Sequence, residues 1–109
     1  MIQISEKERK IVDSIISQLA PDCDVLIFGS RYHGKAWEYS DLDLAFLGLE
    51  KLGFGRCSDL KDAFAESDLP YRVDVLDYNA ISPEFRAIID SGNEKIFSRN
   101  EREIIPVKI

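Results

Sequence analysis

The sequence predicts an α/β fold, in which a small β-sheet is flanked by helices. Several stretches carry apolar residues at the spacing of one helix face, behind recognisable helix starts. Between them lie short apolar runs with the length and composition of strands, at residues 24–28, 41–47 and 72–77. Strands that alternate with helices favour a layered structure, because each helix can then cover one face of the sheet.

The N-terminal helix is the most clearly marked element. Ser5 and Glu8 form a capping box, in which each side chain can accept a hydrogen bond from an otherwise unpaired backbone amide. Apolar residues then recur on one helical face, namely Ile11, Val12, Ile15, Ile16 and Leu19. We expect this helix to run until Pro21, to pack against the sheet and to take no part in chemistry.

A second long helix is predicted after the turn at residues 48–55. It is expected to begin at Ser58, and Pro70 prevents its continuation towards the third strand. The residues expected to face inward are Leu60, Ala63 and Phe64.

The last helix is predicted to begin at Ser82-Pro83, with serine as the N-cap and proline at the first helical position. Gly92 is expected to end it. The residues expected to face inward are Phe85, Ile88 and Ile89. Residues 96–97 form either a last short strand or a packing segment.

Length and charge limit the classes of function. The 109 residues predict a single domain over 1–109, with a core of about 22–97 and a tail of 98–109. The net charge of −6 disfavours direct nucleic-acid binding, which requires a basic face. The tail is charged and then apolar, so we expect it either to fray or to dock on another chain, in a homo-oligomer or a hetero-oligomer.

Several absences from the sequence bear on location and metal content. No apolar run has the length of a signal-peptide core or of a membrane span, so a cytoplasmic protein without membrane contact is expected. The two cysteines suit a reducing compartment. Because Cys23 and Cys57 are far apart and the chain has one histidine, a structural zinc site is not expected.

The chain is organised around residues 25–45. The first apolar run ends in Gly29-Ser30, and after ten residues Asp41 and Asp43 enter the second run. Carboxylates at alternate positions of a strand share one face, about 6.6 Å apart at Cα. This spacing allows two carboxylates to hold divalent cations, and two such ions can clamp the attacking and leaving oxygens of a phosphoryl or nucleotidyl transfer.

The order and spacing of these residues resemble the signature of the DNA polymerase beta-like nucleotidyltransferases. The fuller run from Gly29 to Leu44, with Ser-Asp-Leu-Asp-Leu at its end, is similar to the small, single-domain minimal nucleotidyltransferases of the MNT type. The resemblance covers about residues 22–97. It implies a mixed sheet with the polymerase beta-like nucleotidyltransferase fold, and a third metal carboxylate on a later strand. Asp74, between Val73 and Val75, matches that third position.

The resemblance also implies a chemistry. Asp41 and Asp43 would bind two Mg²⁺ ions, and Asp74 would complete the site of the ion nearest the acceptor. A hydroxyl would attack the α-phosphorus of a nucleoside triphosphate, expected to be ATP, and pyrophosphate would leave. Asp74 is also a candidate to assist deprotonation of the attacking hydroxyl. A lone carboxylate at Asp74 would be costly to bury unless it is paired or metal-bound. Asp74 could be a strand-end charge, but with Asp41 and Asp43 expected nearby we favour the metal role.

The loop between the two strands offers nucleotide contacts. Gly29 allows a phosphate to approach the backbone closely, and Ser30 is expected to hold the triphosphate at the start of a short helical turn. Arg31 either supports the triphosphate or is a solvated loop charge. His33 has no visible catalytic partner and is expected at the surface.

The loop also carries two aromatic side chains, Trp37 and Tyr39. They could stack on a base, but we favour a role in covering the edge of the core, which is the more frequent use of such residues.

Three functions remain open. Proteins similar to this one are often encoded beside a small helical HEPN protein, whose tyrosine they modify with AMP as the antitoxin of a toxin–antitoxin pair. That resemblance makes protein adenylylation the first hypothesis, with a HEPN-type partner. The second is nucleotide transfer to a small molecule. The third is a non-catalytic module that neutralises a partner by contact, which would have no need for clustered carboxylates that repel one another.

Overall fold

The computed structural model describes residues 2–99. The predictions for the apolar tail therefore lie largely outside the described residues. The helices and strands, in chain order, are α1 (Glu6–Leu19), β1 (Asp24–Phe28), α2 (Gly29–His33), β2 (Leu42–Leu47), α3 (Phe54–Ala65), β3 (Val73–Asp77), a 3-10 turn (Tyr78–Ala80), α4 (Pro83–Asp90) and β4 (Glu94–Phe97). The predicted alternation of strands and helices is confirmed, including a short strand at residues 96–97.

The four strands form one mixed sheet in the order β3-β2-β1-β4. β1 runs antiparallel to both β2 and β4, and β2 runs parallel to β3. β2 and β3 are connected through α3, and because they are parallel they begin at the same end of the sheet. The mixed sheet implied by the resemblance is confirmed.

The two faces of the sheet are covered unequally. One face carries the larger core, to which α1 contributes Val12 and Ile16 and α3 contributes Leu60 and Phe64, all of them buried. The opposite face carries a small cluster of Phe28, Ala45 and Ile89, the last from α4. The second face is therefore open beyond this cluster, and the predicted acidic side chains of β2 and β3 belong to it.

The beginning of α1 matches the prediction in detail. The Ser5 hydroxyl accepts a hydrogen bond from the Glu8 amide, and the Glu8 carboxylate accepts one from the Ser5 amide.

The start of α3 was predicted wrongly, because the helix begins at Phe54 rather than at Ser58. Gly53 precedes it at a φ of +88°, a backbone conformation that favours glycine. The amide of Leu52 donates a 2.8 Å hydrogen bond to the buried carboxylate of Asp77, which ties this turn to the end of β3. Such a long-range contact leaves no local signal in the sequence.

The inward face of α4 was also predicted only in part. Ile89 is fully buried, whereas Ile88 is 63% exposed and Phe85 is 38% exposed. Phe85 meets Phe28 edge to face, with 6.3 Å between the ring centroids. The sheet therefore covers only part of the apolar surface of this eight-residue helix.

Candidate active site

The two strands that run parallel bring two predicted site residues side by side. Asp43 on β2 is paired with Asp74 on β3 in the sheet register, and both side chains belong to the open face. The sequence separation of 31 residues is thus closed by the crossover through α3. Asp43 is half-buried and Asp74 is exposed, so burial does not make Asp74 costly, contrary to the reasoning from its apolar neighbours.

Gly29 is required by the position of Asp43. Asp43 pairs with Phe28 across the antiparallel strands β1 and β2, and Gly29 directly follows Phe28. A Cβ added at Gly29 would overlap Oδ2 of Asp43, and the glycine has a φ of +76°. Close approach and a left-handed backbone therefore both exclude a side chain at this position. Ser30 follows this glycine directly and lies in the first turn of α2.

The electrostatics of Asp43 are those of a carboxylate among carboxylates. Burial, followed by the neighbouring charges of Asp74 and Asp41, raises its pKa from 3.8 to about 6. Like charges at short range disfavour ionisation, and a cation between them would reverse this effect. Ionised Asp43 beside Asp41 and Asp74 is therefore unfavourable in the protein alone, and it becomes favourable when a cation binds between these carboxylates.

Asp41 is at present paired within the chain. Its Oδ2 accepts a 3.0 Å hydrogen bond from Nη2 of Arg72, in an ion pair at the start of the parallel strands. Sequence reasoning did not assign Arg72 a role, although its position two residues before Asp74 places both on one strand face. Arg72, Lys61 and Asp74 also line a cavity of about 390 Å³ between α3 and β3.

The three aspartates fit a magnesium site in chemistry but not yet in arrangement. Carboxylate oxygens are the ligands that Mg²⁺ prefers. Within residues 2–99, however, no three acidic, histidine or cysteine side chains are grouped as a ready-made metal site. Asp43 and Asp74 face each other, whereas Asp41 is directed towards Arg72. Opening of that ion pair would make the third carboxylate available.

Arg31 lies elsewhere than predicted. Its side chain is only 5% exposed, and its guanidinium donates hydrogen bonds to backbone carbonyl oxygens. The four acceptors belong to Gln3, Trp37, Glu38 and Ser40. This geometry contradicts both a contact of Arg31 with the triphosphate and a solvated loop charge. The donors of the guanidinium are used to hold the loop that leads to Asp41.

Tyr71 completes the setting of Arg31, and no sequence pattern had singled it out. The guanidinium carbon lies 3.7 Å from the centroid of the Tyr71 ring, a favourable cation–π distance. The Tyr71 hydroxyl donates a 2.9 Å hydrogen bond to Glu8 of α1. The loop is therefore linked through Arg31 and Tyr71 to the first helix.

Trp37 and Tyr39 do not cover the edge of the core. Trp37 is 83% exposed and Tyr39 is 69% exposed, which contradicts the favoured prediction for both residues. His33 is exposed, as predicted.

Residues 9–102 match the family described as "Polymerase beta, Nucleotidyltransferase". This chain belongs to the polymerase beta nucleotidyltransferase family. The nucleotidyltransferase is also 52% identical, over 88 residues, to a protein of Haemophilus influenzae named probable protein adenylyltransferase MntA. That match covers 81% of this chain and 77% of the relative. The predicted family and the predicted enzyme class are both confirmed.

Solved structures of similar shape include two complexes. A toxin–antitoxin complex with AMP-PNP has a chain with a TM-score of 0.73 at 20% identity, covering 88% of this chain and 77% of that chain. A tri-AMPylated Shewanella oneidensis HEPN toxin in complex with its MNT antitoxin gives a TM-score of 0.65 at 20% identity, covering 88% and 73%. At this level of identity the likeness shows the fold, and it confirms the predicted fold class.

One further finding concerns membranes. In the part of the chain from residue 2 to residue 99, no helix combines the length and the apolar character needed to cross a bilayer.

Proposed function

We propose that this nucleotidyltransferase transfers AMP from ATP to a hydroxyl of a HEPN-type partner protein, and so acts as the antitoxin of a toxin–antitoxin pair. The observation that carries the proposal is the 52% identity with a protein named probable protein adenylyltransferase, across most of both chains. The carboxylates of the open face supply the matching chemistry. We assign the reaction to the cytoplasm.

Asp41, Asp43 and Asp74 would hold two Mg²⁺ ions, once Asp41 leaves Arg72. Bound Mg²⁺ would supply positive charge to the phosphate oxygens and to the attacking hydroxyl, which is the main electrostatic need of such transfers. The raised pKa of Asp43 supports this assignment. Burial and then the charges of Asp74 and Asp41 disfavour its ionised form, which a bound cation would stabilise.

Gly29 and Ser30 would hold the triphosphate. Gly29 leaves the backbone open beside Asp43, and Ser30 presents a hydroxyl and an amide in the first turn of α2, which has no side-chain cap. Free amides at the start of a helix favour an anion. Arg31 has no part in this proposal because its donors are used within the protein.

The transfer itself is a single displacement. The acceptor oxygen forms a bond to the α-phosphorus of ATP, the bond from that phosphorus to the bridging oxygen of pyrophosphate breaks, and the acceptor becomes an AMP ester. The hydroxyl proton passes to a base, for which Asp74 is the candidate because it is exposed and beside Asp43. An Asp74→Asn enzyme with near-normal transfer at saturating Mg²⁺ would exclude that role.

The test is the intact mass of the protein encoded by the neighbouring gene, taken as the candidate HEPN-type partner, after incubation with the enzyme and Mg²⁺-ATP. We expect the mass to rise by one or more AMP units, and to stay unchanged with an Asp41→Ala/Asp43→Ala enzyme. A stable complex without a mass change would instead indicate neutralisation by contact. If the two proteins form no complex and the mass does not change, a small-molecule acceptor is indicated.

A further inference from the structure

The loop between α2 and β2 combines a firmly held backbone with side chains that touch little of the protein. Three of the four hydrogen bonds from Arg31 go to this loop, to the carbonyl oxygens of Trp37, Glu38 and Ser40. Ser40 closes the turn from the other side, because its hydroxyl accepts from the Trp37 amide at 2.7 Å and its own amide donates to the Trp37 carbonyl. The polar groups of this turn are thus largely satisfied from within.

The N-terminal segment adds a second support to the same loop. The backbone amide of Ala36 donates a 2.6 Å hydrogen bond to the side-chain oxygen of Gln3. The backbone amide of Gln3 donates to the backbone carbonyl of Arg31 at 2.8 Å. Burying a guanidinium against carbonyl oxygens carries a desolvation cost, which the contacts offset only if the loop keeps this shape. The fold therefore stabilises one conformation of the loop.

The outward side chains have no comparable function within the described chain. Trp37 and Tyr39 are 83% and 69% exposed. Rigid aromatic side chains lose little conformational entropy on binding, and Trp and Tyr are enriched among the residues that dominate protein–protein affinity. A loop ordered before binding also lowers the entropic cost of association.

The position of the pair points to one kind of occupant. Tyr39 is two residues before Asp41, so their Cα atoms lie no more than about 7.6 Å apart. A macromolecule that contacts Tyr39 is thereby brought beside the carboxylates, where an acceptor hydroxyl must arrive. A nucleotide base would need a cleft, whereas these two rings project into solvent.

We infer that Trp37 and Tyr39 form a preordered docking surface for the protein that carries the acceptor hydroxyl, and that Arg31 positions this surface from inside. The inference rests on the proposed function, since it takes the acceptor to be a protein. It predicts that the loop contributes to recognition of the acceptor and leaves nucleotide binding unaffected.

The test compares a Trp37→Ala/Tyr39→Ala double variant with Phe54→Ala. Phe54 is a matched control because it is an exposed aromatic residue (92%) near the end of β3, away from the loop. Three quantities are measured with the full chain: affinity for the HEPN-type protein without ATP, the rise in melting temperature with Mg²⁺-ATP, and the rate of AMP transfer against acceptor concentration.

We expect the double variant to bind the partner about 30-fold more weakly, the size of effect typical of two central aromatic contacts. The KM for the acceptor should rise, while kcat and the Mg²⁺-ATP shift stay as in the wild type and Phe54→Ala changes none of these. Loss of the Mg²⁺-ATP shift with unchanged partner affinity would overturn the inference and make the rings a base platform. Unchanged partner affinity, or no partner binding by the wild type, would also overturn it.

The affinity measurement separates this inference from the proposed function. A wild-type enzyme that binds the partner through the loop but adds no mass to it would refute adenylylation and leave the docking surface standing. Adenylylation that is independent of both rings would support the proposed function and refute the docking surface.

Discussion

Replacing Asp43 by asparagine should make the metal-free protein more stable at neutral and alkaline pH. The native pKa of Asp43 is about 6, against 3.8 for a free carboxyl, because burial and the charges of Asp74 and Asp41 oppose its ionisation. Since one pKa unit corresponds to about 1.4 kcal/mol, the full difference would be worth about 3 kcal/mol for a completely buried group. Asp43 is only half-buried, and solvent screening reduces the expected gain to about 1–2 kcal/mol.

The gain should depend on pH in a definite direction. Below the unfolded pKa of 3.8, Asp43 is protonated in both states and contributes no difference. Between 3.8 and about 6 the native state keeps a proton that the unfolded state has released, so native stability falls as the pH rises. Above about 6 both states are ionised, and the folded protein bears the full cost of the charge.

The assay is urea unfolding of the wild type and of Asp43→Asn, with EDTA present, at about pH 4 and about pH 8. The free energy of unfolding of the variant should exceed that of the wild type at the higher pH, and the difference should be much smaller at the lower. Asp59→Asn, which removes an exposed carboxylate from α3, is the control and should show no such pattern. Equal stability of Asp43→Asn and wild type at pH 8 would refute the electrostatic reasoning.

Three other substitutions test neighbouring parts of the site. Gly29→Ala should destabilise by about 2 kcal/mol or more, because the methyl group meets a carboxylate at positive φ, whereas Gly55→Ala has open space within α3 and should be neutral or stabilising in thermal unfolding. Arg31→Met should cost about 3 kcal/mol by leaving several partly buried carbonyl groups without their donor, and Lys35→Met, which removes an exposed charge from the same loop, should cost little. Arg72→Gln removes the competing cation at the site, so calorimetric titration should show Mg²⁺ binding up to about fivefold tighter; weaker binding would indicate that Arg72 assists the metal.

Local patterns were sufficient for most of the secondary structure. The capping box at Ser5 and Glu8, the strand that ends at Phe28 and the Ser82-Pro83 helix start were all correctly predicted, because each depends on neighbours within a few residues. The errors occurred where distant residues decide. α3 begins early because its preceding turn is tied to Asp77, and Ile88 is exposed because the sheet does not reach it.

In the candidate site, too, the features that depend on neighbouring residues were predicted and those that depend on distant residues were not. The spacing from Gly29-Ser30 to Asp41 and Asp43 was enough to suggest the family and the chemistry, since both the strand alternation and the glycine lie in one continuous segment. The role of Arg31 was not accessible, because its acceptors include Gln3 and its aromatic partner is Tyr71. No local pattern reports such contacts.

By itself, then, the sequence determined the order of elements, the acidic signature and the family to which it belongs. Only the tertiary structure decided that Asp43 and Asp74 face each other, that Arg72 holds Asp41, and that Arg31 supports a loop instead of facing a substrate. The physical reason is that periodicity and capping act over a few residues along the chain, whereas charge pairing and burial depend on which segments the sheet brings together.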